Sequence, residues 1–146
     1  MSILRSLSSL AGAAVLAITV TGCSSPEEAA PEPPSVVEDI PGSEVKAVTL
    51  RADAAEAIGL ETAAIAKAAT AGRLTIPYSA VVYYLDGSTW TYTQTGDHKY
   101  QRAPITVAGI AGDVATLTAG PAVGTPVVVV GAPEVLGAEL EIDGEQ

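Results

Sequence analysis

The stretch TIPYSAVVYYLDGSTWTYTQTG, residues 75–96, decides the fold of this chain. It contains two runs rich in valine, threonine and aromatic residues, which are residues that β-strands favour. The runs meet at Asp86-Gly87, a pair typical of the tight turn of a β-hairpin. The stretch therefore predicts two antiparallel strands joined by a two-residue type I′ turn.

Successive residues of the two predicted strands should face opposite sides of the hairpin. A two-residue turn gives a core-facing side that holds Val81, Tyr83, Trp90 and Tyr92. The outer side then holds Val82, Tyr84, Thr89, Thr91 and Thr93. A longer turn would exchange the two faces of one strand. An exposed aromatic platform for sugars is the alternative to packing of the aromatic face on a core.

The rest of the chain adds further short strands and one short helix. The strands are predicted at residues 45–50, 60–65, 100–110, 114–118 and 127–130. Ala52–Ile58 is rich in alanine and is followed by Gly59, a common residue after a helix, so it predicts a helix of about two turns. Pro77 and Pro104 are placed at strand starts, where a missing donor costs little. The predicted fold is mainly β (α+β), a compact antiparallel β-roll or half-barrel with one short helix, over residues 45–142.

The first 22 residues have the features of a removable lipoprotein leader. Arg5 precedes an apolar run, roughly Leu10–Val20, that is too short to cross a bilayer. Val20-Thr21-Gly22-Cys23 then fits a lipobox, whose cysteine becomes the new N-terminus and carries lipid. Cys23 is the only cysteine, so we predict lipidation there and a protein anchored on the extracytoplasmic face of the cell membrane. An ordinary secretory leader, or a structural cysteine, is the alternative.

Residues 23–44 are predicted as a disordered, lipid-anchored tether. They are rich in proline and glutamate and hold no lysine or arginine, so they cannot bury enough apolar surface to offset their ordering entropy. A second acidic group lies near the C-terminus and comprises Glu134, Glu139, Glu141, Asp143 and Glu145. Both groups are interpreted as solvated, and residues 143–146 as an acidic tail.

Few side chains suit catalysis or metal binding. His98 is the one histidine, and no second histidine is present to share a metal with it. The sequence contains neither a phosphate-binding glycine loop nor a recognisable pairing of nucleophile and base. The formal net charge is −10 and becomes −11 without Arg5, which argues against nucleic acid as a partner. We therefore predict a binding or assembly protein that is not an enzyme and has no catalytic residue, metal or cofactor.

Several segments, taken in order, resemble the periplasmic adaptor proteins, which are the membrane fusion proteins of RND-type and MacAB-type efflux systems. The opening segment of that family is similar to Val48–Leu50 and Ile58–Ala63. The closing segment is similar to Ile76–Val82, Gly87–Tyr92, Ala103–Val107, Gly112–Val114 and Gly120–Gly131. The resemblance covers roughly residues 46–140.

In that family the two segments form the membrane-proximal domain, a β-roll beside the transporter. Lipoyl, helical-hairpin and β-barrel parts are inserted between them. Here only Ala68–Arg73 joins the segments, so the chain resembles the membrane-proximal domain alone. The resemblance implies one partner, an integral membrane transporter permease of RND or ABC type. The chain also lacks any methionine after Met1, and so departs from the copper-type adaptors.

The resulting hypothesis is a lipid-anchored accessory subunit, or adaptor, that docks on an export (efflux) transporter. The candidate partner contacts lie on the outer side of the hairpin and are Tyr84, Thr89 and Thr91. Two alternatives stay open. The first is a free-standing envelope lipoprotein that binds a glycan or a small hydrophobic ligand through the aromatic face of the hairpin. The second is a remnant of a larger adaptor that folds but has no partner.

Overall fold

The computed structural model of the protein describes residues 32–141. The predicted leader, the predicted lipidation site at Cys23 and the predicted acidic tail lie outside these residues. The part of the predicted tether up to Pro31 also lies outside them.

Antiparallel strands make up most of the described residues. The strands are β1 Ser35–Asp39, β2 Lys46–Leu50, β3 Glu61–Ala64, β4 Ala66–Lys67, β5 Leu74–Pro77, β6 Val82–Tyr83, β7 Thr89–Gly96, β8 Lys99–Ala111, β9 Val114–Ala119 and β10 Pro126–Val130. Two α-helices, α1 Ala52–Ala57 and α2 Ala132–Glu141, and a 3₁₀ turn at Tyr78–Ala80 complete the fold. The predicted fold class is confirmed: the protein is mainly antiparallel β with a barrel-like sheet and a short helix at the predicted place. The second helix, α2, was not predicted.

The central sheet curls into a nearly closed barrel. Its strands follow one another in the order β3, β10, β7, β8, β9, β5 and β4. Ile65 alone separates β3 from β4, so the two ends of this path meet at one buried residue. The interior of the curled sheet, the barrel core, consists of Ile65, Ile76, Ala80, Ile105, Ala115, Leu117 and Val127.

Strand β8 pairs with different strands along its length. Its first residues, 99–101, pair with β2, and residues 106–111 pair with β9, while β7 lies along its other edge. Pro104 lies between these two pairings. The prediction that Pro77 and Pro104 start strands is therefore wrong, because Pro77 is the last residue of β5 and Pro104 lies inside β8. The missing donor of Pro104 falls where β8 has a partner on one side only.

A second apolar cluster, the outer core, lies on the other face of the sheet. Its buried members are Val48, Leu50, Ala55, Val82, Tyr92, Tyr100, Val128, Ala132 and Val135. Both helices contribute to it, so α1 and α2 cover the face of the sheet that the barrel does not enclose. The curled sheet thus has two cores, one on each face.

Helix α1 ends as the sequence predicts. Gly59 follows the helix with a φ of +63°, a left-handed conformation that glycine adopts without steric cost. The Gly59 N–H donates to the Glu56 carbonyl, and the Leu60 N–H donates to the Ala55 carbonyl, both at 3.0 Å. These two bonds form the Schellman motif that commonly closes a helix. They lead the chain directly into β3.

Part of the predicted tether is folded. Ser35–Asp39 forms β1 and pairs along its length with β2, so the prediction of disorder up to Glu44 is wrong for these five residues. Val37 packs against the outer core, and Lys99 Nζ lies 2.7 Å from Glu38 Oε2. The strand that contains the valines of this acidic, proline-rich stretch pairs with β2. Composition alone does not reveal that such a partner strand exists.

The ion pair between Glu38 and Lys99 makes the attachment of β1 sensitive to acid. The hydrogen bond and the charge of Lys99 lower the pKa of Glu38 below its usual value of 4.5. A carboxyl whose pKa is lower in the folded state stabilises that state above its unfolded pKa, and the contribution is lost as the pH falls through the lowered value. We expect Lys99→Met to return the pKa of Glu38 toward its usual value in an NMR titration. Lys67→Met, the matched control on β4, should leave that titration unchanged.

Candidate functional site

The β6–β7 hairpin turns through three residues, Leu85, Asp86 and Gly87, where two were predicted. The Tyr84 N–H donates to the Ser88 carbonyl and the Gly87 N–H donates to the Tyr84 carbonyl, both at 3.0 Å. Asp86 Oδ1 accepts hydrogen bonds from the Ser88 hydroxyl and N–H at 2.5 and 2.8 Å, and these bonds lower the pKa of Asp86. Gly87 takes a left-handed φ of +83°. Three-residue loops with glycine in this position are the next most common hairpin connection.

The longer loop shifts the register of the hairpin by one residue. Val82 pairs with Trp90 and Tyr83 pairs with Thr89, so the predicted pairing of Tyr83 with Trp90 is wrong. The two faces of β6 are exchanged as a result. Val82 is buried in the outer core, and the side chain of Tyr83 is 53% exposed.

The predicted aromatic face is therefore divided. Tyr92 is fully buried in the outer core, as predicted, and Trp90 is half-buried against it. Tyr83 was predicted to face the core, and this is wrong because it points to solvent. The three aromatic side chains do not form one exposed platform. Such a platform is what the glycan-binding alternative requires.

The three predicted partner contacts take three different environments. Tyr84 is partly buried beneath a guanidinium group. Thr89 is partly buried, and its hydroxyl donates to the Ile105 carbonyl at 2.8 Å. Thr91 is completely buried, so its prediction as a surface contact is wrong. Strand β7 is covered on both faces at this point, by the barrel core on one side and the outer core on the other.

Thr91 carries a polar atom with no partner. Its Oγ1 is the only buried side-chain nitrogen or oxygen in residues 32–141 that makes no hydrogen bond. Such an atom costs about 1–3 kcal/mol of desolvation. We expect Thr91→Val, which keeps the shape, to raise the free energy of unfolding by about 1 kcal/mol or more. Urea denaturation measures this, and Thr89→Val, which removes a bonded hydroxyl, should lower stability.

Arg102 on β8 lies between the two strands of the hairpin and the second helix. Its guanidinium carbon is 4.5 Å from the centre of the Tyr84 ring and 4.8 Å from that of Trp90. Stacking of a guanidinium on aromatic faces contributes about 0.5–2 kcal/mol, more where water is excluded. The base of the hairpin is thus fixed to β8 by a cation held against two rings.

The charge of Arg102 is balanced by Glu139 on α2. Arg102 Nε and Nη2 lie 3.0 and 2.9 Å from Glu139 Oε1, and the Tyr92 hydroxyl donates to Oε2 at 2.5 Å. Burial and this carboxylate raise the pKa of Tyr92. Glu139 is only 2% exposed, so the prediction that it belongs to a solvated acidic group is wrong.

Sequence reasoning missed Arg102, Glu139 and α2 together. The buried residues of α2 include Ala132, Val135 and Glu139, which have the three- and four-residue spacing of one helical face. Pro133 in the first turn fits a helix start. The signal was present but obscured, because a glutamate within the apolar stripe looks like a solvated residue.

Three large apolar side chains in the β6–β7 hairpin and in the 3₁₀ turn before it are exposed, and we name them the apolar tip: Tyr78, Tyr83 and Leu85. Their exposed fractions are 42%, 53% and 97%. The nearby side chain of Tyr78 raises the pKa of Tyr83. Tyr78 belongs to the 3₁₀ turn before β6 and was not predicted as a site residue.

The described residues hold no candidate metal centre. Within residues 32–141 there is no group of three or more histidine, cysteine, aspartate or glutamate side chains that could hold a metal ion. His98 lies in the β7–β8 turn, with Nε2 3.6 Å from Asp97 Oδ1. None of the helices in the described part of the chain is long and apolar enough to cross a bilayer.

Comparisons of the chain with protein-family models, with curated proteins and with solved structures found no match.

Proposed function

We propose that the protein is a lipid-anchored subunit on the extracytoplasmic face of the cell membrane that docks on an integral membrane export transporter. The apolar tip carries this proposal, because Leu85 is almost entirely exposed and Tyr83 and Tyr78 are about half exposed. Adjacent exposed apolar side chains mark protein interaction sites. The contact residues proposed are therefore Tyr78, Tyr83 and Leu85, in place of Tyr84, Thr89 and Thr91.

The contacts that hold the hairpin loop in place support a docking role for the apolar tip. Tyr84 is next to both Tyr83 and Leu85 in the chain, and its ring lies against the guanidinium of Arg102. Asp86 holds the loop itself through its bonds to Ser88. A contact that is already ordered loses less conformational entropy when it binds. The hairpin can thus present its apolar side chains without first having to fold.

The predicted anchor supports a partner within the membrane. Between Cys23 and the first residue of β1, Ser35, the chain can span at most about 40 Å. Anchoring at Cys23 would hold the hairpin close to the membrane surface and raise its effective concentration near an integral membrane protein. A permease of RND or ABC type fits this restriction, whereas a distant outer-membrane channel does not.

The resemblance to the adaptor membrane-proximal domain supports the same partner. In that family the opening and closing segments come together beside the transporter. Here β2 pairs with β8 and β3 pairs with β10, so strands from the two similar segments share one sheet. The Ala68–Arg73 link is closed by a hydrogen bond from the Ala68 N–H to the Arg73 carbonyl at 3.0 Å.

In-cell photo-crosslinking tests the proposal. A photo-reactive amino acid would replace Leu85 or Tyr83, and the control would carry it at Val123, an apolar residue of the β9–β10 loop that is 47% exposed. We expect one dominant adduct with a transporter permease from the tip positions and none from the control. Equal adducts from all three positions, or none from the tip, would overturn the proposal.

A further inference from the structure

We propose that a groove between α1, the start of β3 and the β7–β8 turn binds ligands that carry an ammonium group, held by Glu56, Glu61 and the hydroxyl of Tyr100. The groove has a volume of about 630 Å³. This lies within the range of about 300–1,000 Å³ that is typical of small-molecule sites. None of its lining residues belongs to the apolar tip, so the site is separate from the proposed docking contact.

The charge of the groove is negative and is not balanced from within. Glu56 and Glu61 line it, and no lysine or arginine does; His98 is the one lining side chain that could carry a positive charge. In the described part of the chain, neither carboxylate takes part in an ion pair or a side-chain hydrogen bond. A concave surface lined by charges of one sign concentrates ions of the opposite sign. The groove therefore favours a cation.

Tyr100 provides the second, independent observation. Its side chain is 2% exposed, belongs to the outer core and also lines the groove. No hydrogen bond within residues 32–141 uses its hydroxyl, and this oxygen is not one of the fully buried atoms without a partner, so it is open to the groove that the residue lines. Burial, and to a lesser degree the charge of Asp97, raises the pKa of Tyr100. The neutral hydroxyl oxygen is thus free to accept a hydrogen bond from a ligand N–H.

The remaining lining sets the shape of the ligand. Ala52, Ala55 and Leu60 are apolar lining residues, and Thr62 and Gln94 are polar ones. A short aliphatic chain ending in a primary amine would pack on the apolar lining while placing its charge near the carboxylates. Such a group occurs in small amines and in the lysine side chain of a polypeptide, and both sources share this chemistry.

NMR titration of the purified full chain tests the site, with n-pentylamine as the probe at low salt. The neutral and anionic counterparts are 1-pentanol and pentanoate. We expect the amine alone to move the signals of Tyr100, Glu61 and Gln94, with a Kd on the order of 1 mM for so small a ligand. A capped Ala-Lys-Ala peptide is titrated beside the same peptide with norleucine in place of lysine. Binding of the lysine peptide would identify a partner's lysine as a source of the ammonium group, and binding of pentylamine alone would point to a free amine. Binding of either cation supports the proposal.

Charge-neutral variants locate the binding. Glu56→Gln with Glu61→Gln should weaken amine binding at least about tenfold, and Tyr100→Phe should weaken it about threefold to tenfold. Glu44→Gln with Glu134→Gln removes the same net charge elsewhere and should change it less than about twofold. Equal responses to amine and alcohol, no response to about 20 mM amine, or full binding by the groove variant would each overturn the proposal. These results leave the crosslinking from Leu85 unaffected, so failure here is distinct from failure of the docking proposal.

Discussion

Replacement of Glu139 by alanine is expected to lower the free energy of unfolding by about 3–5 kcal/mol, because it leaves the guanidinium of Arg102 buried and unpaired. Arg102 is 9% exposed, and Glu139 is the one carboxylate in the described residues that contacts it. The variant also deprives the Tyr92 hydroxyl of its acceptor. Urea denaturation of the full chain, followed by the fluorescence of Trp90, measures the change.

Glu134→Ala is the matched control, since Glu134 is an exposed glutamate on the same helix and its loss should cost no more than about 1 kcal/mol. A second test removes the whole polar group. Tyr92→Phe, Arg102→Met and Glu139→Leu together should recover most of the stability lost by Glu139→Ala, because no buried charge remains. A loss below about 1 kcal/mol for Glu139→Ala would show that the pair is effectively solvated.

Leu85→Asp combined with Tyr83→Ser is expected to weaken the proposed docking on a membrane transporter at least about a hundredfold. Burial of each large apolar side chain contributes about 1.5–3 kcal/mol, and every 1.4 kcal/mol is about tenfold in affinity. Both side chains are exposed in the free protein, so the folded state should keep its stability. Co-purification of the permease under gentle detergent measures the loss.

Two controls accompany this experiment. Val123→Asp introduces the same charge on another exposed apolar residue and should leave co-purification intact. The unfolding midpoint of the Leu85/Tyr83 variant should match that of the parent chain, which separates loss of contact from loss of fold. Undiminished recovery of the permease with this variant would rule out the apolar tip as the docking contact.

The hairpin shows how far sequence reasoning reaches. Asp86-Gly87 correctly predicts where the chain turns, because the pair suits both two-residue and three-residue loops. The three-residue loop is held by hydrogen bonds from Ser88 to Asp86, which are local to this turn but are not indicated by the Asp86-Gly87 pair itself. The observed register differs from the predicted one by one residue. Tyr83 therefore lies on the surface and Val82 in the core, the reverse of the prediction. The existence of the element was predictable, but its contact face was not.

Helix α2 shows a different limit. Helix α1 was found because alanines followed by Gly59 form a local signal, whereas α2 depends on one buried glutamate. Glu139 is compatible with a core only because Arg102 and Tyr92 lie opposite it. These partners are 37 and 47 residues away along the chain, and no local pattern connects them. The same reasoning explains why β1 was missed, since its partner strand and Lys99 lie beyond the predicted tether.

The position of Glu139 has a consequence for the order in which the protein can mature. The carboxylate that neutralises Arg102 lies on α2, 37 residues later in the chain, so the base of the hairpin cannot be fixed before that helix has been synthesised. A chain cut short before α2 would fold its hairpin, if at all, around a guanidinium without a counter-charge. Proteolysis or truncation between β10 and α2 should therefore affect the distant hairpin as well as the missing helix.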